Sequence, residues 1–337
     1  MIIDYKKIYF FRPGAFGDIL IAAPLFYSIK KLYPESEFVL ISEQGTRLNH
    51  VTARMVADLI PEINHTILYP NSSILNKFKF FKKNINFTEN VAIVYLNYSR
   101  CTSFHVFRDF LFFKTLGFKN TYSFLNYYKN SSRSKKYFIP EIERLFNTTI
   151  DLTGSNILPK DFVLNKTDIS LKNKFKIFSA PFGKAKSKRW PVERYNKLYA
   201  ELDLLGYEIC ICGSKEEEQD FIDVGWSNKA YIKGFFGLNF NDLVNKVKDS
   251  IIYIGNDTGP MHLAALLKID CIALFSDTNR DTNWSPYGGS NNIILRTKVD
   301  CGNCQSEICL NKTHDCMNNI TYETVRSVTI EKLMNNG

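Results

Sequence analysis

The order in which apolar strands and helices recur constrains this chain more than any other feature. Lys7–Phe11 (KIYFF) reads as a short buried strand, followed by the turn Arg12-Pro13-Gly14-Ala15-Phe16-Gly17-Asp18 and a helix over Ile19–Tyr33. Leu25, Ile29 and Leu32 give that helix an apolar stripe near helical spacing, and Pro34 ends it. Glu37–Ile41 (EFVLI) and Asn90–Leu96 (NVAIVYL) read as further strands. A polar linker over Asn147–Lys174 follows, and then the pattern restarts. Phe175–Ala180 is a strand entering a glycine-containing loop, Val192–Leu205 a helix and Tyr207–Cys212 a strand. Ser250–Gly255 leads through a loop into a helix over Pro260–Leu267, and Cys271–Phe275 is again a strand. Strands separated by helices, with no hairpin turns between them, pair in parallel through right-handed crossovers. The sequence thus predicts an α/β protein of two Rossmann-like units, 1–160 and 161–337, with parallel sheets facing a central cleft. Its 337 residues suit two cores better than one. Phe104–Tyr137 is aromatic and basic without clear periodicity, compatible with helix plus surface loops.

Composition excludes several classes. Hydrophobic residues at 45% and charged residues at 23% are ordinary globular values, which removes disordered and collagen-like chains. The longest apolar runs, Ile19–Phe26 and Cys271–Phe275, fall far short of the roughly 20 residues that span a bilayer. Asp4 precedes the first apolar stretch and no small-residue cleavage site follows it, so the N-terminus reads as a buried strand and the protein as cytoplasmic. The net charge of +9 is uneven: residues 1–162 hold 21 Lys and Arg against 13 Asp and Glu. That excess suits nucleic acid, an anionic membrane face or a phosphorylated acceptor. Lys77–Lys83 (KFKFFKK) interleaves Phe with Lys, which fits a membrane interface at least as well as nucleic acid; a solvated helix face is the plainer reading.

Three segments carry the chemistry. In Gly255-Asn256-Asp257-Thr258-Gly259-Pro260-Met261-His262, a buried strand meets a helix start, with Asp257 or Thr258 as cap and Pro260 in the first turn. Unsatisfied N–H groups and the positive end of the dipole make such a start an anion site, and Gly259 lets a phosphate approach the backbone. His262 would lie near the same mouth. A capped helix without ligand meets the same local features. Gly183-Lys184-Ala185-Lys186-Ser187-Lys188-Arg189-Trp190-Pro191 places four cations just after a strand, at the edge where open α/β sheets bind ligands. Those cations can neutralise a departing diphosphate, and Trp190-Pro191 argues for a docked rather than a solvated loop. In Gly14-Ala15-Phe16-Gly17-Asp18 the glycine spacing is not the dinucleotide fingerprint, but Asp18 puts a carboxylate at a helix start. It suits either a general base for an acceptor hydroxyl or a simple first-turn Asp.

Taken together, FGDILIAAP, KSKRWPVERYNKL, ICGSKEE and GNDTGPMHLAA, in that order, resemble glycosyltransferase family nine, the ADP-heptose:lipopolysaccharide heptosyltransferases. The resemblance runs from Tyr9 to about Val325 and is weakest over Pro70–Lys160, the stretch that handles the acceptor in that family. It implies a GT-B fold, inversion at the anomeric carbon and no cofactor or metal in catalysis. By motif, Asp18 is implied as the base, and Gly17 and Lys188 as donor contacts, Lys188 to its phosphate or sugar. Glu216 or Glu217 is implied as the ribose contact, and Asp257, Thr258, Gly259 and His262 as binding diphosphate and heptose. Gly183-Lys184 stands where some members carry paired hydroxyl residues, so backbone N–H groups and Lys184 take that place. The implied partners are an ADP-sugar donor and an anionic lipid-linked oligosaccharide or other glycan acceptor at an inner membrane face, not nucleic acid. Rivals are a GT-B transferase with another nucleotide-sugar or a protein acceptor, a nucleotide-sugar epimerase and, farther off, a non-catalytic nucleic-acid or assembly-binding protein.

Cysteines remain. Cys301, Cys304, Cys309 and Cys316 run C-x2-C-x4-C-x6-C with His314 nearby, a spacing open to structural zinc or iron and equally to reduced thiols. Similar clusters occur in relatives, and some heptosyltransferases that modify proteins look to hold iron through cysteines. Cys210, Cys212 and Cys271 fall in predicted core strands and read as small hydrophobes.

Overall fold

The structure is a computed structural model that describes residues 4–44, 53–87, 89–97, 103–125, 140–159, 162–164, 175–279, 284–288 and 291–336. The chain forms two compact units, 1–165 and 166–337. Among the described residues every strand pair is parallel.

The first unit has five strands, β1 (Lys7–Phe11), β2 (Glu37–Glu43), β3 (His65–Tyr69), β4 (Val91–Tyr95) and β5 (Asn120–Tyr122), in the order β3-β2-β1-β4-β5. The helix expected over Ile19–Tyr33 is instead two, α1 (Phe16–Leu20) and α2 (Ala23–Leu32). Pro24, in the first turn of α2, lacks the N–H that would continue one helix into the next. Further helices are α3 (Ala53–Ala57), α4 (Ile74–Asn84) and α5 (Ser103–Leu116). β1 is buried on both faces, as a parallel strand covered by helices must be. Phe10 meets Phe26 of α2 and Phe38 edge-on at 5.0 Å each, while Phe11 on the opposite face meets Phe113 of α5 at 5.1 Å. The expected linker does not begin at Asn147: Glu141–Thr148 and Ile150–Thr153 are helical, because Ile142, Leu145, Phe146 and Leu152 are buried.

Glu141 heads that helix and ties it to the sheet. Its carboxylate receives Arg12 Nη1 at 2.9 Å from the end of β1, and Arg144 Nε and Nη2 at 2.7 and 2.6 Å. Arg12 also donates to Leu96 O at 2.6 Å and to Asp18 O at 3.0 Å, and is fully buried. One cation therefore joins the ends of β1 and β4, the helix Glu141–Thr148 and the loop that carries Asp18.

The second unit has six strands: β6 (Lys176–Ala180), β7 (Glu208–Gly213), β8 (Ile232–Phe236), β9 (Ile252–Asn256), β10 (Asp270–Phe275) and β11 (Ile293–Arg296). Their order is β11-β10-β9-β6-β7-β8. The helices Val192–Leu204 and Gly259–Leu266 lie close to their expected bounds. Trp190, Tyr195, Tyr199 and Trp226 form an aromatic core beside Ile177, Ile209 and Ile254. No described helix is long and apolar enough to cross a membrane.

Desolvation is the largest influence on Glu141 and raises its carboxyl's pKa, yet Arg144 and Arg12 together outweigh it and hold the net value below the ordinary carboxylate range. A depressed folded pKa contributes stability above the unfolded value, which is lost as pH falls through the folded one. Glu141→Ala should cost about 3–5 kcal/mol by leaving buried guanidinium groups without their carboxylate. Urea unfolding followed by far-UV circular dichroism reads this; a wild-type midpoint would remove the network from its structural role.

Candidate active site

In each sheet the chain winds outward in one direction, returns to the centre and then winds outward in the other. The reversal lies between β1 and β4 in the first unit and between β6 and β9 in the second. Loops leaving adjacent strands at such a point diverge to opposite faces and open a crevice at the carboxyl edge, the general ligand position of open α/β sheets. The residues singled out from the sequence follow β1, β6, β7 and β9 at these edges.

In the second unit the loop after β6 is held by named contacts rather than left in solvent. Arg189 donates to Gly183 O at 2.9 Å and to Asp220 at 2.7 Å, and the Trp190 indole donates to Ile320 O at 2.7 Å. Asn256, at the end of β9 and fully buried, joins this loop to its neighbour. Its Oδ1 accepts from Trp190 N at 3.2 Å and Tyr195 OH at 3.1 Å, and its Nδ2 donates to Pro181 O at 2.6 Å. The clamped loop brings Lys188 Nζ to 2.5 Å from Asp257 Oδ2. Gly183 has φ +142°, and a Cβ there would lie 3.2 Å from the Thr258 methyl, so a glycine is what lets the two loops touch.

The helix Gly259–Leu266 starts beside this pair. Thr258 is its N-cap in extended conformation, but its hydroxyl makes no capping bond; Pro260 falls within the first turn. The sequence expectation of a side-chain cap is thus corrected, because the Thr258 hydroxyl turns to Tyr253 OH (3.3 Å) and Asn256 O (3.4 Å). His262 is buried, with its ring 6.4 Å from that of Trp284. Burial is the main cause that lowers its pKa to about 4; Asp257 opposes the shift and Lys188 adds to it. At neutral pH the ring is uncharged and offers one N–H donor and one acceptor.

Other expected residues lie around this cluster. Lys184 pairs with Glu307 at 2.8 Å on the surface, a contact of little energetic weight. Glu216 is exposed, whereas Glu217 turns inward and accepts Ser214 N at 2.8 Å, with its pKa raised chiefly by burial. Cys301, Cys304, Cys309 and Cys316 line one pocket with His314 and Asp277. Among the described residues, however, no group of three or more His, Cys, Asp or Glu side chains is placed to hold a metal ion. His314 Nε2 is bonded to Ser187 O at 2.7 Å, Cys301 and Cys304 are exposed, and burial raises the pKa of the Cys316 thiol.

In the first unit Asp18 is half-buried in α1, beside Gly17. Its Oδ2 accepts the Ala15 N–H at 2.7 Å, which closes the helix start and fixes the carboxylate. Gly14, at φ +131°, makes room for it, since a Cβ there would lie 2.5 Å from that oxygen. The supporting residues Arg12, Glu141 and Asn256 were not found from sequence, because a polar residue at a strand end gives no periodic signal of burial.

Since the folded pKa of His262 lies below the unfolded 6.5, the unfolded chain binds the proton more tightly, and stability is lost as pH falls from about 6.5 to about 4. The full loss is about 3 kcal/mol. Stability measured over this range should flatten in His262→Gln, and a ring titrating near 6.5 by NMR would contradict the assignment.

The sequence pattern of glycosyltransferase family 9 (heptosyltransferase) matches residues 116–314, more than half of the chain. Lipooligosaccharide heptosyltransferase 2 of Campylobacter jejuni subsp. jejuni serotype O:2 is 25% identical over 95% of this chain and 96% of its own length. The crystal structure of a family 9 glycosyl transferase from Veillonella parvula superposes with a TM-score of 0.74 at 17% identity, covering 99% of both chains. The structure of ADP-heptose lps heptosyltransferase II from E. coli does so with a TM-score of 0.68 at 16% identity, covering 98% of this chain and 99% of that one. The fold is therefore GT-B, and the chain belongs to glycosyltransferase family 9.

Proposed function

We propose that this enzyme transfers a heptose from ADP-heptose to the core of a lipopolysaccharide, with inversion at the anomeric carbon. The observation that carries the reading is the cluster of Lys188, Asp257 and His262 at the helix start Gly259–Leu266, at the strand-order reversal of the second sheet. The second unit is the donor unit in this reading, and the first unit handles the acceptor.

The chemistry follows from the donors present. An ammonium has three N–H groups, so Lys188 can spend one on Asp257 and aim the others at diphosphate oxygens. Asp257 acts here as a positioning residue, holding the cation where charge develops as ADP leaves. The helix adds the positive end of its dipole and the backbone N–H of Gly259. Neutral His262 contributes a hydrogen bond without a second positive charge. The inward turn of Glu217 beside Ser214 favours it over Glu216 as the carboxylate that meets the nucleoside. Asp18 takes the proton of the attacking acceptor hydroxyl, whose oxygen bonds to the anomeric carbon as the bond to the ADP oxygen breaks. Charge on the leaving group is met by Lys188 and the helix start, and the step draws on no cofactor. The acceptor is a lipid-linked, anionic oligosaccharide met at the cytoplasmic face of a membrane, and the excess of basic residues in 1–162 favours that charge.

Asp18→Asn should keep the fold, since the amide still accepts the Ala15 N–H, and should keep ADP binding while losing roughly 10²–10⁴-fold in turnover. Activity within a few-fold of wild type, measured by ADP release with an acceptor present, would remove Asp18 from the base role.

A further inference from the structure

Of the three tryptophans, Trp190 and Trp226 are packed inside the core of the second unit, where their indoles donate to Ile320 O and Asn196 Oδ1. Trp284 differs. It is half-buried, and among the described residues nothing accepts its indole N–H. A tryptophan outside the core presents a large apolar face with a donor at its edge, a combination that suits an amphipathic ligand.

Its position is fixed by the chain that follows. Gly288, at φ +113°, lies so close to the helix Gly259–Leu266 that a Cβ there would stand 2.8 Å from Ala265 O. Asn292 ties the same stretch to β10, accepting the Cys271 N–H at 3.1 Å and donating to Pro286 O at 3.5 Å. Residues 284–288 are thereby seated against the helix. Trp284 reaches its first turn, where its ring meets that of His262 at 6.4 Å and 66°, an edge-to-face aromatic pair.

Strand order says which end of a donor belongs there. Across the second sheet run β10, β9, β6 and β7. Beyond their carboxyl ends, Trp284 follows β10, Asp257 and His262 follow β9, Lys188 follows β6 and Glu217 follows β7. In the transferase reading the diphosphate sits at the centre of this row, on Lys188 and the helix start. The nucleoside and the sugar are attached at opposite ends of that diphosphate. With the nucleoside toward Glu217, the sugar is directed toward β10 and Trp284. Neither the indole nor the neutral ring of His262 is charged, which suits a sugar better than a further phosphate.

We propose that Trp284 is the sugar platform of the donor site, stacking its indole on the C–H face of the transferred sugar and offering its N–H to a hydroxyl. The proposal rests on the transferase reading and adds to it the residue that separates a sugar nucleotide from the bare nucleotide. Such a platform holds the anomeric carbon in one orientation without touching the diphosphate.

Calorimetric titration without acceptor tests it, with ADP and ADP-heptose as probes on wild type, Trp284→Ala and Trp284→Phe. Trp284→Ala should bind ADP as wild type does and ADP-heptose about tenfold more weakly. Trp284→Phe, which keeps a ring but not the N–H, should recover part of that loss. A residue that merely covers His262 would weaken both ligands alike. In wild type, ADP-heptose but not ADP should shift the indole emission to the blue as Trp284 is covered, and the shift should vanish in Trp284→Phe. This readout stands even if the alanine variant does not fold. An unchanged preference between the two probes in Trp284→Ala, equal losses for both, or emission that ADP-heptose leaves unmoved would overturn the proposal. The reading beneath it fails differently: a wild-type chain that binds neither probe removes the donor site itself, and the platform with it.

Discussion

Parallel strand pairing is the constraint from which the rest of this structure follows. A parallel pair cannot be closed by a tight turn, so each strand must leave the sheet through a helix and return. In each sheet all carboxyl ends then share one edge, and the segments that follow it, with Asp18 in the first unit and Lys188, Glu217 and Asp257 in the second, are left without sheet partners. The sheet interior is apolar and rigid, and the chemistry is confined to where the backbone still has hydrogen bonds to give.

Those loops are not loose, because buried polar groups fasten them. Asn256 bonds to Trp190, Tyr195 and Pro181 and so fixes the β6 loop against the end of β9. Arg12 does the same in the first unit, reaching Asp18 O, Leu96 O and Glu141. A buried polar group that finds partners fixes its surroundings, since other arrangements leave those groups unsatisfied, although Arg12 Nη2 is itself buried without a partner. The consequence is electrostatic: Lys188 is held against Asp257, and the nearby His262 is kept neutral by burial. The site thus holds a single cation, Lys188, already paired with Asp257, beside an uncharged ring.

Much of this was legible in the sequence. The strands around Lys7–Phe11, Phe175–Ala180 and Cys271–Phe275 stand out because buried parallel strands are continuously apolar, and two Rossmann-like units follow from their alternation with helices, while GT-B was implied by the family resemblance. β3 and β8 escaped notice because His65–Tyr69 and Ile232–Phe236 mix exposed and buried positions. The single helix expected over Ile19–Tyr33 broke at Pro24, and the linker proved helical at its start, where short segments are carried by tertiary burial rather than by local propensity. At the site, Lys188, Asp257 and His262 converge as motif reading suggests. Spacing could not reveal that Lys184 is drawn to Glu307, nor that His314 Nε2 is engaged by Ser187 O. Those outcomes depend on residues more than a hundred positions away in the chain.

The central claim is that the helix start at Gly259, beside Lys188, receives the diphosphate of the donor. Calorimetric titration with ADP on Gly259→Val tests this most directly, with far-UV circular dichroism confirming the fold. A branched side chain at that first helical position occupies the space a phosphate oxygen needs beside the backbone N–H. The account predicts that ADP binding is abolished in the folded variant. A folded Gly259→Val protein that binds ADP as wild type does would place the donor elsewhere and contradict it.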